Sequence, residues 1–362
     1  MDFAKMDGKK PIEIEFSKKL GWAVALVANV FLITFLEGKA IHGAFFVLRA
    51  AELWMLITLI EQKVLQQKQV VRFILIGMLI QLVWATAQWV HNGSLGLLRL
   101  GESILGPDIP GVAKIDLADG TKHIRAYGSF LHPNSLAAYL VILLSLTWSH
   151  LKKESRWFWM ALVAWGLWIT GSLAAWVAAA TGILVLMGQR IERLKPHRKK
   201  CFVIAIIAVI SVNIGWLIAN PSLQSSDASI VERQAQISMS RSMALAHPLG
   251  IGLNEFTLRM AEFSQKTLEP WQHVPVHNVY YLVLNEWGIQ GLILLGILIA
   301  LVTQRLKPEH AAPWLLVLLL ASMDHLLLTS WTGMMVLAVV GHTARPRRGS
   351  GISPLSQCKP SS

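Results

Sequence analysis

The feature that most constrains this chain is a series of apolar runs, each about as long as a helix that crosses a bilayer. About 20 apolar residues span the hydrocarbon core as a helix. Hydrophobic residues make up 54% of the chain and charged residues 15%, which is too apolar for a soluble globular protein. The sequence therefore predicts an all-α polytopic membrane protein. Six runs of this length lie near 20–36, 41–60, 70–90, 131–149, 201–219 and 278–302.

Two further apolar segments are longer than one span. Cations flank the run 157–187 on both sides, so both of its ends should face the cytoplasm. A turn near Gly171 and Ser172 would divide it into two short helices. The same reasoning divides the run 313–341 near Thr329 and Ser330. The prediction is about ten transmembrane helices with both termini in the cytoplasm.

The positions of the 33 Lys and Arg residues indicate the orientation. In the ten-helix arrangement the cytoplasmic segments hold 23, the outer loops hold 9, and Arg49 lies within the second helix. An excess of cations on the cytoplasmic side is the positive-inside pattern. The net charge of +12 therefore predicts contact with membrane lipids and no nucleic-acid partner. We expect one transmembrane domain over 1–342 and a disordered cytoplasmic tail over 343–362.

Two outer loops, at about 91–130 and 220–277, are long enough to fold. In the first, apolar Ile115 and Leu117 alternate with polar Lys114 and Asp116, and a turn is expected at Asp119-Gly120. Alternation followed by such a turn is typical of a β-hairpin.

The loop 220–277 is predicted to contain two helices. Ser229-Ile-Val-Glu232 has the capping-box pattern of a helix start, and the helix should stop at His247-Pro248. A short second helix is expected near Asn254. Arg233 and Arg241 would share a broad face of the first helix. A solvated surface helix has the same pattern, so both interpretations stay open.

His277 lies where the second loop meets the apolar run 278–302. Imidazole changes charge near neutral pH, and guanidinium groups bind phosphate oxygens in a two-pronged fork. With Arg233, Arg241 and Arg259 in the same loop, His277 is therefore suited to proton transfer beside a phosphorylated lipid. The alternative is an interfacial histidine that caps a helix.

Further polar groups gather near the outer ends of the predicted helices. Arg125, His132 and Asn134 lie between the hairpin and the fourth helix, where Asn134 could serve as a helix cap. Asp324-His325 lies near the outer end of the ninth helix and could be purely structural.

Arg49 lies inside the second predicted helix, with Glu52 three residues further on. A charge at that depth must face protein or water, which makes it a candidate functional residue. A structural Arg49–Glu52 ion pair is the alternative.

Several catalytic motifs do not occur in the sequence. It contains no GxxxxGK loop, no Asp-x-Asp, no HExxH and no cytoplasmic segment long enough to form a domain. This argues against ATP-driven transport and against metal-dependent use of nucleotide sugars.

The segments YGSFLHPNSLAAYL, HPLGIGLNEF, PVHNVYYLVLNEWGIQG and DHLLLTSWTG follow one another along the chain. They resemble, in order, the signature segments of the bacterial O-antigen ligase and polymerase family. The resemblance spans about residues 70–342, and a ligase histidine followed eleven positions later by glycine is matched by His277 and Gly288. Arg241 with Leu245 resembles the family's Arg-x-x-x-Leu element.

One position departs from the family pattern. Related sequences carry Ser-Arg at the turn between the fifth and sixth helices, where this chain has Ser172-Leu173. We expect that either Arg125 or Arg49 replaces the missing phosphate-binding arginine or the activity is altered.

The resemblance implies a metal-independent glycosyltransferase of the cytoplasmic (inner) membrane, without a cofactor. Its donor would be a polyprenyl-diphosphate-linked glycan at the outer face, and its acceptor a hydroxyl of a lipid- or protein-linked molecule. An O-antigen-type polymerase is the alternative within the family, and a lipid-linked glycan flippase is an alternative of another class, although no repeated halves are evident. The implied site comprises His277 as general base; Arg125, Arg233, Arg241 and Arg49 as diphosphate ligands; and His132, Asn134, Asn278, Gly288, Asp324 and His325 in support.

Overall fold

The described part of the computed structural model is almost entirely helical. It comprises seven positions between 44 and 58 and the continuous stretches that begin at residue 67. Arg49, the first predicted span and all of the tail beyond Thr343 lie outside it, so the expectations for them stay predictions. The continuous stretches are residues 67–189, 191, 196–219, 228–306 and 310–343.

From residue 67 onward, the described residues form eleven α-helices and one two-stranded sheet. Two helices contain stretches long and apolar enough to cross a membrane alone, Lys68–His91 and Val279–Gln304, and three shorter helices are also apolar. The all-α prediction is confirmed for these residues, whereas the count of ten spans stays a prediction. The helices are α1 (Gln67–His91), α2 (Pro133–Thr147), α3 (Lys153–Thr170), α4 (Leu173–Gly188), α5 (Arg198–Ala219), α6 (Ala228–Ala246), α7 (Phe256–Arg259), α8 (Val279–Arg305), α9 (Ala311–Ala321), α10 (Leu326–Thr329) and α11 (Trp331–Thr343).

The predicted break in the run 157–187 is present. Gly171 adopts a left-handed conformation with φ 58°, which ends α3 at little steric cost to glycine. The side chain of Ser172 then accepts a hydrogen bond from the backbone N–H of Ala175 at 3.4 Å and caps α4.

The sequence prediction for the break in the run 313–341, near Thr329 and Ser330, was only partly correct. A helix does begin at Trp331, but α9 already ends at Ala321, and the single turn α10 lies between them. The carboxylate of Asp324 accepts a hydrogen bond from the backbone N–H of Leu326 at 2.9 Å. Such a local bond offers the backbone an alternative to the helix, and the apolar pattern did not reveal it.

The predicted β-hairpin is also present. Strand β1 (Lys114–Asp116) pairs antiparallel with β2 (Lys122–Ile124), and Gly120 has φ 81° in the turn. Asn92, just after α1, accepts from the backbone N–H of Ile124 at 2.8 Å and donates to the carbonyl of Lys122 at 3.2 Å. These bonds fix the hairpin against the end of α1.

The segment after the hairpin runs between α1 and α3 before it enters α2. Buried Gln88 of α1 accepts from the backbone N–H of Gly128 at 2.8 Å and donates to its carbonyl at 2.9 Å. The N–H of Ala126 donates to the carbonyl of Ile169, near the end of α3, at 2.9 Å. These hydrogen bonds place Arg125 at the turn between α3 and α4.

Helix α8 is interrupted at Gly288, where φ is 69° and ψ −171°. The backbone N–H groups of Ile251 and Gly252 donate to the carbonyls of Asn285 and Glu286 at 2.9 and 3.1 Å. The loop after α6 therefore lies hydrogen-bonded along α8 at the interruption.

The backbones of the loop after α6 and of helix α8 approach each other closely at this interruption. A Cβ at Gly250 would lie 2.6 Å from the nitrogen of Gly288, and one at Gly288 would lie 2.3 Å from the carbonyl carbon of Leu249. Only glycine fits at such a backbone contact. Before Gly288, from Val279 to Trp287, α8 is buried except for half-buried Leu284, whereas most residues after it are exposed or half-buried.

Candidate active site

Three histidines from distant segments lie together where helices begin. His132 precedes α2, His277 lies two residues before α8, and His325 precedes α10. The ring centroids of His132 and His277 are 5.6 Å apart, and those of His277 and His325 are 5.3 Å apart. We call these three residues, with Asp324, the histidine cluster.

His277 is nearly buried, and one of its ring nitrogens faces a carboxylate. Its Nδ1 lies 3.9 Å from Oδ2 of Asp324, and the two side chains are only 12% and 6% exposed. Among the described residues, neither atom has a hydrogen-bond partner. The backbone N–H of His277 donates to Oε1 of Gln236 on α6 at 3.2 Å.

Asn278, and not His277, caps α8. Its side-chain oxygen accepts from the backbone N–H groups two and three residues further on, at 2.9 and 3.1 Å. Its amide nitrogen donates to Oδ1 of Asn213 on α5 at 2.6 Å and to the carbonyl of Ser322 after α9 at 3.0 Å. The helix-cap interpretation of His277 is therefore wrong, and Asn278 brings the Asp324 segment close to His277.

Arg125 lies at the turn between α3 and α4. Its Nε donates to the carbonyl of Thr170, and one terminal nitrogen donates to Oδ1 of Asn134, each at 2.6 Å. A Cβ at Gly171 would lie 3.4 Å from that Nε. Leu173, which follows the helix cap Ser172, is 77% exposed.

The cap of α2 differs from the sequence prediction. The Nδ1 atom of His132 accepts a hydrogen bond from the backbone N–H of Asn134 at 3.2 Å, so His132 is the cap. The prediction that Asn134 caps the helix is wrong, because its side chain instead binds Arg125.

The cluster lies between helices, and its burial controls its charge. Burial lowers the pKa of His277 to about 4 although the carboxylate of Asp324 opposes this, and burial lowers the pKa of His132 to about 3. Burial also lowers the pKa of His325. For Asp324, burial raises the pKa, but His325 and the other two imidazoles outweigh it, so the pKa lies below its usual value. At neutral pH the cluster contains three neutral imidazoles and one carboxylate.

The loop arginines occupy different environments. Burial is the main cause of the low pKa of His277, and the nearby charge of half-buried Arg233 on α6 helps to lower it. Arg241 lies on the same helix, about 12 Å further along at about 1.5 Å per residue. Arg259 lies 3.4 Å from a carboxylate oxygen of Glu262 and 3.2 Å from Nε2 of His247.

Sequence reasoning missed three polar residues that support the site. Gln236 lies three positions after Arg233 on α6, so helical spacing could have identified it. Asn213 is a polar residue within an apolar run, which is itself a signal. Thr329, which contacts Nδ1 of His325 at 2.7 Å, gave no distinguishing signal.

Comparison with known protein families gives a match over the central part of the chain. Residues 158–296 match the family described as O-antigen ligase. The match includes α6, His277 and Gly288, whereas Arg125, His132 and Asp324 lie outside it. A search of curated proteins gave no match.

Proposed function

We propose, from the match of residues 158–296 to the O-antigen ligase family, a family of membrane proteins, that the chain transfers a preassembled glycan. The donor would be a polyprenyl-diphosphate-linked glycan, and the acceptor a hydroxyl of a lipid- or protein-linked molecule at the outer face of the cytoplasmic membrane. The observation that carries the proposal is the buried imidazole of His277, whose Nδ1 faces the Asp324 carboxylate at 3.9 Å.

In this proposal His277 accepts the proton of the attacking hydroxyl. Its low pKa leaves it neutral at pH 7 and thus able to act as a base. The Asp324 carboxylate would stabilise the imidazolium that forms, as the third member of a catalytic triad does. General-base assistance of this kind is typically worth about 10² to 10⁴ in rate.

The leaving diphosphate gains negative charge as the glycosidic bond breaks. Arg125 and Arg233 would bind it, because preorganised cations stabilise developing charge most effectively where water is excluded. The positive ends of α2 and α8, which begin beside the histidine cluster, would add to this field. These groups can supply the charge neutralisation that a metal ion supplies in other glycosyltransferases. Direct displacement would invert the configuration at the sugar carbon.

The decisive experiment compares glycans from a deletion strain complemented with variants. We expect the deletion strain to accumulate unattached, full-length glycan on its lipid carrier. His277→Ala should fail to restore attachment, whereas His273→Ala, which removes an exposed loop histidine outside the cluster, should restore it. Single repeat units on the acceptor with long chains lost would indicate a polymerase. Full transfer by His277→Ala would exclude the proposed base.

A further inference from the structure

We infer that His277, Asp324 and His325 form a zinc site whose occupation reversibly inhibits transfer. One ligand atom from each residue is available, and these atoms all lie within 4.8 Å of one another. The inhibition rests on the proposed function, because it requires His277 to be the base. The binding itself rests only on the geometry of the cluster.

Two of the three ligand atoms are buried polar atoms without a hydrogen-bond partner among the described residues. They are Nδ1 of His277 and Oδ2 of Asp324, which face each other at 3.9 Å. A buried polar atom without a partner destabilises the folded protein. A cation between them would satisfy both atoms at once. Zinc bonds of about 2.0–2.2 Å place neighbouring ligands about 3.3 Å apart, so small side-chain rotations would close the site.

The third ligand has a hydrogen-bond partner that can set its tautomer. The hydroxyl of Thr329 is placed to donate its single proton to the backbone carbonyl of His325 at 3.1 Å. With the proton there, its oxygen can accept the Nδ1–H of His325 at 2.7 Å, and this arrangement leaves the lone pair on Nε2. Histidine ligands of metals are commonly oriented by such a bond from the second ring nitrogen.

His132 is excluded as a fourth ligand by the same reasoning. Its Nδ1 already accepts the backbone N–H of Asn134, so its Nε2 carries the proton. The site thus offers two imidazole nitrogens and one carboxylate oxygen, with a fourth position open. This donor set suits zinc and does not suit magnesium or calcium, which prefer oxygen ligands. A zinc ion on Nδ1 of His277 would leave the ring proton on Nε2, so that this nitrogen could no longer accept the proton of the attacking hydroxyl.

The binding test uses the full-length protein in nanodiscs, with any affinity tag removed, titrated with Co²⁺ as a spectroscopic probe and then with Zn²⁺. We expect one equivalent of cobalt to give the visible bands of a tetrahedral site, and zinc to displace it. His325→Ala should abolish the bands, and Thr329→Val should weaken binding by about tenfold or more. His273→Ala should bind as the wild type does. Missing bands, or bands that persist in His325→Ala, would overturn the site.

The inhibition test measures release of polyprenyl diphosphate from a synthetic donor glycan, with rough lipopolysaccharide as acceptor. Zinc should inhibit the wild type, a chelator should restore the rate, and Thr329→Val should need about tenfold more zinc for the same fractional inhibition. A higher rate with zinc would overturn the inference. If zinc binds as expected but leaves the rate unchanged, the inhibitory role and the base assignment of His277 fail, while the binding site stands.

Discussion

Replacing Gly288 by alanine tests the contact that holds the loop after α6 against α8. The backbone at φ 69° and ψ −171° lies in a region that is essentially restricted to glycine, and a non-glycine residue there costs about 1–3 kcal/mol. The new Cβ would also lie 2.3, 2.5 and 2.7 Å from backbone atoms of Leu249, which cannot rotate away. Overpacking of this kind costs about 1–3 kcal/mol more, so the free energy of unfolding should fall by roughly 2–6 kcal/mol.

The assay is thermal unfolding of the purified protein in detergent, with Gly296→Ala as the matched control. Gly296 is in the same helix, and a Cβ there would meet nothing within 4 Å. Its replacement should leave the midpoint unchanged or raise it slightly, because alanine favours helix. At about 2 °C per kcal/mol, Gly288→Ala should lower the midpoint by roughly 4–12 °C. Equal midpoints for the two variants would refute the reasoning from backbone geometry.

Three further predictions concern charge, pH and topology. Arg125→Ala should weaken binding of the synthetic donor, and Arg125→Lys should recover only part of that binding because lysine lacks the bidentate fork. Arg259→Ala is the control. Equal effects of Arg125→Ala and Arg259→Ala would count against the diphosphate role of Arg125. Since the pKa of His277 is about 4, the transfer rate should persist at pH 5.5, where an ordinary histidine is about nine-tenths protonated. A transfer rate that instead falls with a midpoint near pH 6.5 would contradict the burial argument. The unfolded chain protonates His277 more readily than the folded one, so the free energy of unfolding should decrease as pH falls below about 6.5. Reporter fusions at Ser226 and Pro354 should lie on opposite sides of the membrane, and finding both on one side would end the ten-helix topology.

Local sequence patterns predicted the elements that local interactions determine. The alternation around Ile115 and the Asp119-Gly120 turn identified the hairpin, and the end of α6 before His247 was also correctly placed. In each case, the physical cause lies within a few residues along the chain.

The arrangement of the site depended on contacts that no local pattern encodes. Which of two adjacent polar residues caps a helix depends on backbone direction, and so His132 and Asn278 took the roles that the sequence suggested for Asn134 and His277. Asp324 reaches His277 only because the amide of Asn278 binds the carbonyl of Ser322. Such long-range hydrogen bonds form only once the helices have packed.

The interruption at Gly288 also bears on the lipid around the protein. The buried first part of α8 is enclosed by other segments, so only the seventeen residues from Ile289 to Arg305 are placed to meet acyl chains. A helix of that length is about 25 Å long, shorter than a hydrocarbon core of about 30 Å. The bilayer should therefore thin beside α8. Thinning would shift the outer headgroup layer along α8, so lipid acyl-chain length should influence how easily a membrane-anchored donor reaches His277.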